Sequence, residues 1–202
     1  MKRLEKLNTF PVAFPLQEFC QKSRVPGCWP RHQFSIPLRG YFYENETHER
    51  IQTYYHRSYE HAPIKAFAML YRLAPEHEDA ARWKNSLELY REYVALTSRT
   101  VPYGLLPNGI YELDNTDFST ITHEGARAAG APSLEEYNAQ VRNGIRLNDR
   151  FYLRIFPVAY QFRGFHATLM GRALAAMELA RALNDREIKQ VAVRQMEWIL
   201  GC

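Results

Sequence analysis

The stretch Gly164-Phe165-His166-Ala167-Thr168-Leu169-Met170-Gly171-Arg172-Ala173-Leu174-Ala175-Ala176-Met177-Glu178-Leu179-Ala180-Arg181-Ala182-Leu183 decides the fold. It is rich in alanine and apolar around most of its circumference, which is the pattern of a helix buried on several sides. Asn184 and Asp185 make a turn, with Asp185 suited to cap the next helix. That helix spans Arg186 to Leu200, and Gly201 stands where a left-handed C-terminal cap belongs. A buried helix joined by a short turn to a more amphipathic one reads as an antiparallel hairpin with an inner and an outer member.

Working backward, the same pattern recurs. Pro63 suits the first turn of a helix, where its missing N–H costs nothing. Ile64, Phe67, Ala68, Leu70 and Tyr71 then follow at helical spacing, and Pro75 closes the segment. A second helix is expected from about Glu78 to Thr97, with Ala80, Trp83, Leu87, Tyr90 and Val94 on one face. Residues 98–131 form a long non-helical excursion, broken by Pro102, Gly104, Pro107, Gly109, Gly125 and Gly130. Ser133 and Glu136 then make a capping box opening a helix expected to reach about Leu147. Phe151 to Phe156 alternates like a short extended piece before Pro157.

The fold class is therefore all-α: antiparallel helix hairpins with long irregular loops and almost no strand signal. Residues 1–45 form an irregular N-terminal segment packing on the core, and 46–202 form the helical hairpin domain. Five of the eleven prolines lie between residues 9 and 45, which leaves room for only a short helix around Leu16–Lys22.

Composition narrows the function classes. The chain has 202 residues, 46% hydrophobic and 24% charged, so it is a globular sequence of one-domain size. No run of 18 apolar residues predicts a membrane span, and the basic residues of Met1–Lys6 are not followed by the apolar stretch of a secretory signal. Compartment is left open. The net charge is +4, but Glu76, Glu78, Asp79, Arg82, Lys84, Glu88, Arg91 and Glu92 alternate in sign. That is a solvated helix face and not a phosphate track, so no nucleic-acid partner is expected. Cys20, Cys28 and Cys202 match no zinc spacing, and Cys20 and Cys28 are open to either a bridge or free thiols. His56 and His61 are five apart and no HExxH exists, so neither a metal nor a cofactor is expected. Phosphate loops, dinucleotide fingerprints and nucleophile elbows are absent.

Candidate site residues sit in the loops. Tyr54, Tyr55, His56 and Arg57 precede the first good helix. Here a tyrosine ring can cover the apolar C–H face of a pyranose while His and Arg bond its hydroxyls. The same residues also make an ordinary packing turn. Tyr103 to Glu112, with Asp114 and Asp117 after it, form a Gly- and Pro-shaped loop. Glu112 and Asp114 have the chemistry of an acid–base pair, but at i and i+2 they are more often turn carboxylates. Arg154, Phe156, Arg163 and His166 make the third group, with Arg163 and His166 on one helix face. They suit either an anionic or hydroxylated ligand or buried carboxylate partners.

Four segments resemble a known family. Tyr103-Gly104-Leu105-Leu106-Pro107, Tyr152-Leu153-Arg154-Ile155-Phe156-Pro157, Phe162-Arg163-Gly164-Phe165 and Gln195-Met196-Glu197-Trp198-Ile199-Leu200-Gly201 are similar to the helical core of glycoside hydrolase family 9 and its relatives. The resemblance spans roughly residues 40–202. It implies a six-hairpin (α/α)6 toroid and a carbohydrate-active protein that hydrolyses O-glycosidic bonds in a polysaccharide or oligosaccharide. Read with the loop chemistry above, the expected carbohydrate contacts are Tyr55, His56, Tyr103, Glu112, Arg154, Arg163 and His166.

The paired-aspartate segment of that family has no counterpart here, and its general-acid glutamate follows the Trp-Leu-Gly helix. No catalytic residue is therefore carried over. The inverting chemistry, with one carboxylate activating water and the other protonating the leaving oxygen, belongs to a longer parent. The expected partners are carbohydrate and, for an open half-barrel, the remainder of a larger barrel or a self-associated copy. The alternatives are a non-catalytic helical domain binding glycan or protein, and a sugar epimerase or isomerase using His56 or His166 as base.

Overall fold

A computed structural model describes residues 38–42, 51, 61–115, 132–158 and 165–201. The described part is mostly helical. Its helices are α1 (His61–Leu73), α2 (Ala80–Thr100), α3 (Leu134–Arg142), α4 (Phe165–Leu183) and α5 (Arg186–Leu200). The strands are β1 (Gly109–Glu112), β2 (Ile145–Arg146) and β3 (Phe151–Arg154). The expected short helix near Leu16 and the cysteines Cys20 and Cys28 lie outside the described residues.

The helical layer forms because each helix buries the stripe its sequence carries. Ile64 and Ala68 of α1, Leu87 and Val94 of α2, Leu169, Ala176 and Leu179 of α4, and Ile188 and Val191 of α5 share one core. α4 packs on both α5 and α1, and α2 packs on α1 and α5. Arg72 near the end of α1 meets Glu178 of α4 at 3.7 Å. Arg91 of α2 reaches Asp185 at 2.7 Å, at the start of α5. Farther along α2, Arg99 pairs with Glu187. Leu38 and Tyr41 are buried against this layer, and Arg39 forks onto Glu92, its Nη2 at 2.8 Å from Oε1.

Termini follow their chemistry. Asp185 accepts from the N–H of Ile188 at 3.1 Å, and Gly201 ends α5 in the left-handed region at φ 80°. Ser133 and Glu136 close the reciprocal capping box of α3.

Two boundaries differ from expectation. α2 runs on to Thr100, and within its last turns the hydroxyls of Thr97, Ser98 and Thr100 bond carbonyls of the preceding turn. Polar residues can then be buried within the helix. α3 stops at Arg142, short of Leu147. Gly144 follows, and a Cβ there would stand 2.6 Å from the Leu153 carbonyl oxygen. The chain is drawn against β3 at that point and cannot continue as a helix.

The small sheet departs from the nearly strandless expectation. β3 is central, with β1 and β2 antiparallel on its two sides. Ile110 opposes Leu153 on the face turned to the helical core, and Tyr111 opposes Tyr152 on the other. That second face is covered by Tyr137 and Val141 of α3 together with Val158. Strands of two and four residues are too short to announce themselves by alternation. Among the described residues no helix is long and apolar enough to cross a membrane.

Candidate functional site

Several loop segments meet beside the ends of the helices. Val101 leaves α2 in extended conformation, Pro102 follows, and the N–H of Gly104 bonds the carbonyl of Val101 at 3.1 Å. The third residue of this turn is Tyr103, with φ 61°. Turns that need positive φ at that position ordinarily take glycine. Tyr103 holds it with a ring that is 82% exposed. A tyrosine in the left-handed region costs on the order of 1 kcal/mol or more, and such strain clusters at ligand-contacting positions.

Beneath the turn, Gln195 of α5 is completely buried. Its amide nitrogen donates to the carbonyls of Gly104 at 3.0 Å and Val191 at 2.8 Å, and its oxygen accepts from the N–H of Leu106 at 2.8 Å. The loop is fixed further along by Asn108. The N–H of Asn108 bonds the Arg154 carbonyl at 2.6 Å, its carbonyl accepts from buried Arg172 at 2.6 Å, and its side chain accepts from the Tyr111 hydroxyl. The backbone that presents Tyr103 is therefore held by polar contacts from α4, α5 and β3.

An aromatic group stands at the same end of α5. Trp198 meets Phe165 edge-on at 5.7 Å and His166 edge-on at 5.7 Å. Phe156 packs on Phe165 at 4.8 Å and lies 6.4 Å from Trp198. Phe156 is 44% exposed, so the group has an open side. His166 is exposed in the first turn of α4.

The remaining candidates scatter. Glu112 lies at the far end of β1 from the turn and is ion-paired with Arg150. Asp114 exchanges two hydrogen bonds with Asn138, at 2.9 and 2.7 Å. The structure thus brings neither carboxylate to Tyr103. Arg154 extends over Gly144, where its Cδ would be 2.7 Å from an added Cβ. Burial lowers the pKa of Arg154 and the nearby Tyr111 opposes the shift. Among the described residues no carboxylate pairs with Arg154, and its buried Nε has no hydrogen-bond partner. Tyr55, His56 and Arg163 lie outside the described residues. No group of three His, Cys, Asp or Glu side chains suited to a metal exists among the described residues.

Sequence reasoning passed over Gln195 and Arg172 as structural keys. The signal was there for Gln195. It falls on the i, i+3, i+4, i+7 stripe begun by Ile188, Val191 and Ala192, where a polar side chain needs a buried partner. No model of a known protein family matches the chain, and no curated protein or solved structure matches it significantly.

Proposed function

We propose that this chain is a glycan-contacting helical unit of a glycoside-hydrolase-type (α/α)6 toroid, acting in hydrolysis of O-glycosidic bonds of a polysaccharide or oligosaccharide. The observation that carries it is convergence. The segments that resemble family 9 are distant in sequence, yet Gln195 holds Gly104 and Leu106, and Trp198, Phe165 and Phe156 form one aromatic group. Tyr103 supplies an exposed ring for the C–H face of a pyranose, on a backbone that resists collapse.

Hairpin packing supports the toroid part of the reading. α1 and α2 are linked by residues 74–79 and pack together, and α4 and α5 are linked by Asn184 and Asp185 alone. On α1, Met69 and Leu73 are exposed at i and i+4, as are Met170 and Leu174 on neighbouring α4. A neighbouring hairpin of a larger barrel, or of a second copy, would cover such pairs.

A non-catalytic glycan-binding domain is the second reading. It is favoured by the engagement of Glu112 with Arg150 and of Asp114 with Asn138, which leaves both carboxylates in structural roles. Calorimetric titration with a panel of oligosaccharides tests the shared part. Tyr103→Ala is expected to weaken binding tenfold or more, and absence of binding across the panel would overturn both readings. No catalytic pair is carried over onto these residues, so both readings expect binding with weak or no cleavage, and clear turnover of an oligosaccharide by the 202-residue chain would overturn that expectation.

A further inference from the structure

We propose that the sugar bound at Tyr103 is an acidic one, its anionic group held by Arg194. This rests on the glycan-binding reading and adds the charge class of the ligand.

Arg194 is exposed on α5, and its Nη1 lies 3.3 Å from the position a Cβ on Gly104 would take. The guanidinium therefore sits against the residue next to Tyr103. Gly104, itself at φ 65°, leaves the space in which it lies. Arg194 and Trp198 are four residues apart and share a face of the helix, so the cation stands between the tyrosine turn and the aromatic group.

The acidic side chains at the start of α5 are already paired with α2. Glu187 of α5 takes Arg99 and Arg91, and Asp185 takes Arg91. Glu197, one turn beyond Arg194, makes no ion pair with it, and among the described residues no carboxylate lies within ion-pair distance of Arg194. An exposed ring beside an unneutralised guanidinium fits a sugar that offers an apolar C–H face together with a carboxylate or a sulfate ester. Planar guanidinium donors match both oxyanions in bidentate fashion.

The test compares neutral gluco-oligosaccharides, uronic-acid oligosaccharides and sulfated oligosaccharides of matched length, titrated into the full chain by calorimetry at low ionic strength. At least one acidic series is expected to bind five-fold or more tightly than the neutral one, and the series that does so identifies the anion. Arg194→Gln is expected to bring acidic and neutral affinities together, and Arg194→Lys to keep part of the preference. Circular dichroism checks that both variants are folded. Equal affinity of the wild-type chain for all three series, or a preference that survives Arg194→Gln, overturns the assignment while leaving glycan binding intact. Failure to bind any series overturns the glycan reading and this inference with it.

Discussion

The side-chain oxygen of Gln195 accepts a hydrogen bond from the backbone N–H of Leu106 at 2.8 Å, across 89 residues of sequence and within the core. With the bond from the same amide to Gly104, it ties the tyrosine turn to α5. Gln195→Leu keeps the volume and removes both bonds, leaving the Leu106 N–H and the Gly104 carbonyl without this partner. Loss of one buried partner costs about 1–3 kcal/mol, so the variant is expected to be destabilised by roughly 2–4 kcal/mol in urea unfolding. A loss below about 0.5 kcal/mol would show that the loop stands without this link.

Tyr103 makes the strain argument measurable. Tyr103→Gly and Tyr103→Ala both delete an exposed ring, but only glycine adopts φ 61° without penalty. The glycine variant is expected to exceed the alanine variant in stability by about 1 kcal/mol, with both impaired in ligand binding. Equal denaturation midpoints would contradict a strained turn.

Asp185 predicts a pH dependence. Burial pushes its carboxyl up, but the hydrogen bond from Arg91 and the N–H of Ile188 outweigh that and hold it below its ordinary value. A carboxylate depressed in the folded state contributes stability that is complete above its unfolded pKa, near 3.9, and lost as pH falls through the lower folded value. Asp185→Ala is expected to cost about 1–2 kcal/mol at pH 7, chiefly through the lost cap. The gap between wild type and variant in thermal melts narrows below about pH 4.

Gly144 allows no side chain. In Gly144→Ala the new Cβ meets the Leu153 carbonyl oxygen at 2.6 Å and Arg154 Cδ at 2.7 Å. The arginine end can move but the backbone oxygen cannot, so β3 must shift. A loss of about 1–3 kcal/mol is expected in denaturant unfolding, together with faster amide exchange at Leu153. Unchanged exchange there would refute the close approach.

The helices were legible because their signals are local. Pro63 in the first turn of α1, the Ser133–Glu136 box, and the span from Asp185 to Gly201 all stand as the residues predict. What was hidden depends on distant partners. β1 and β2 exist because β3 lies between them, and α3 ends where Gly144 meets that strand. The same holds for the site. An exposed Tyr103 could be expected from its loop, but its left-handed backbone could not. Glu112 looked available beside Asp114 until folding brought Arg150 to it.

The link between α4 and α5 is Asn184 and Asp185, with Asn184 taking the turn at φ 51°. Helices joined so closely pack through contacts near in sequence, and their loop-closure entropy is small. Pairing Ile110 with Leu153 requires a far longer loop to close. Loop-closure entropy therefore predicts folding polarised in time, with the α4–α5 pair nucleating and the sheet docking late. In stopped-flow chevrons Ala176→Gly is expected mainly to slow folding, and Leu153→Ala mainly to speed unfolding. On that expectation the two-residue turn sets the order of assembly, and the face bearing Tyr103, which needs Gln195 of α5 and Leu106 of the loop leading into β1, is completed only when that loop docks.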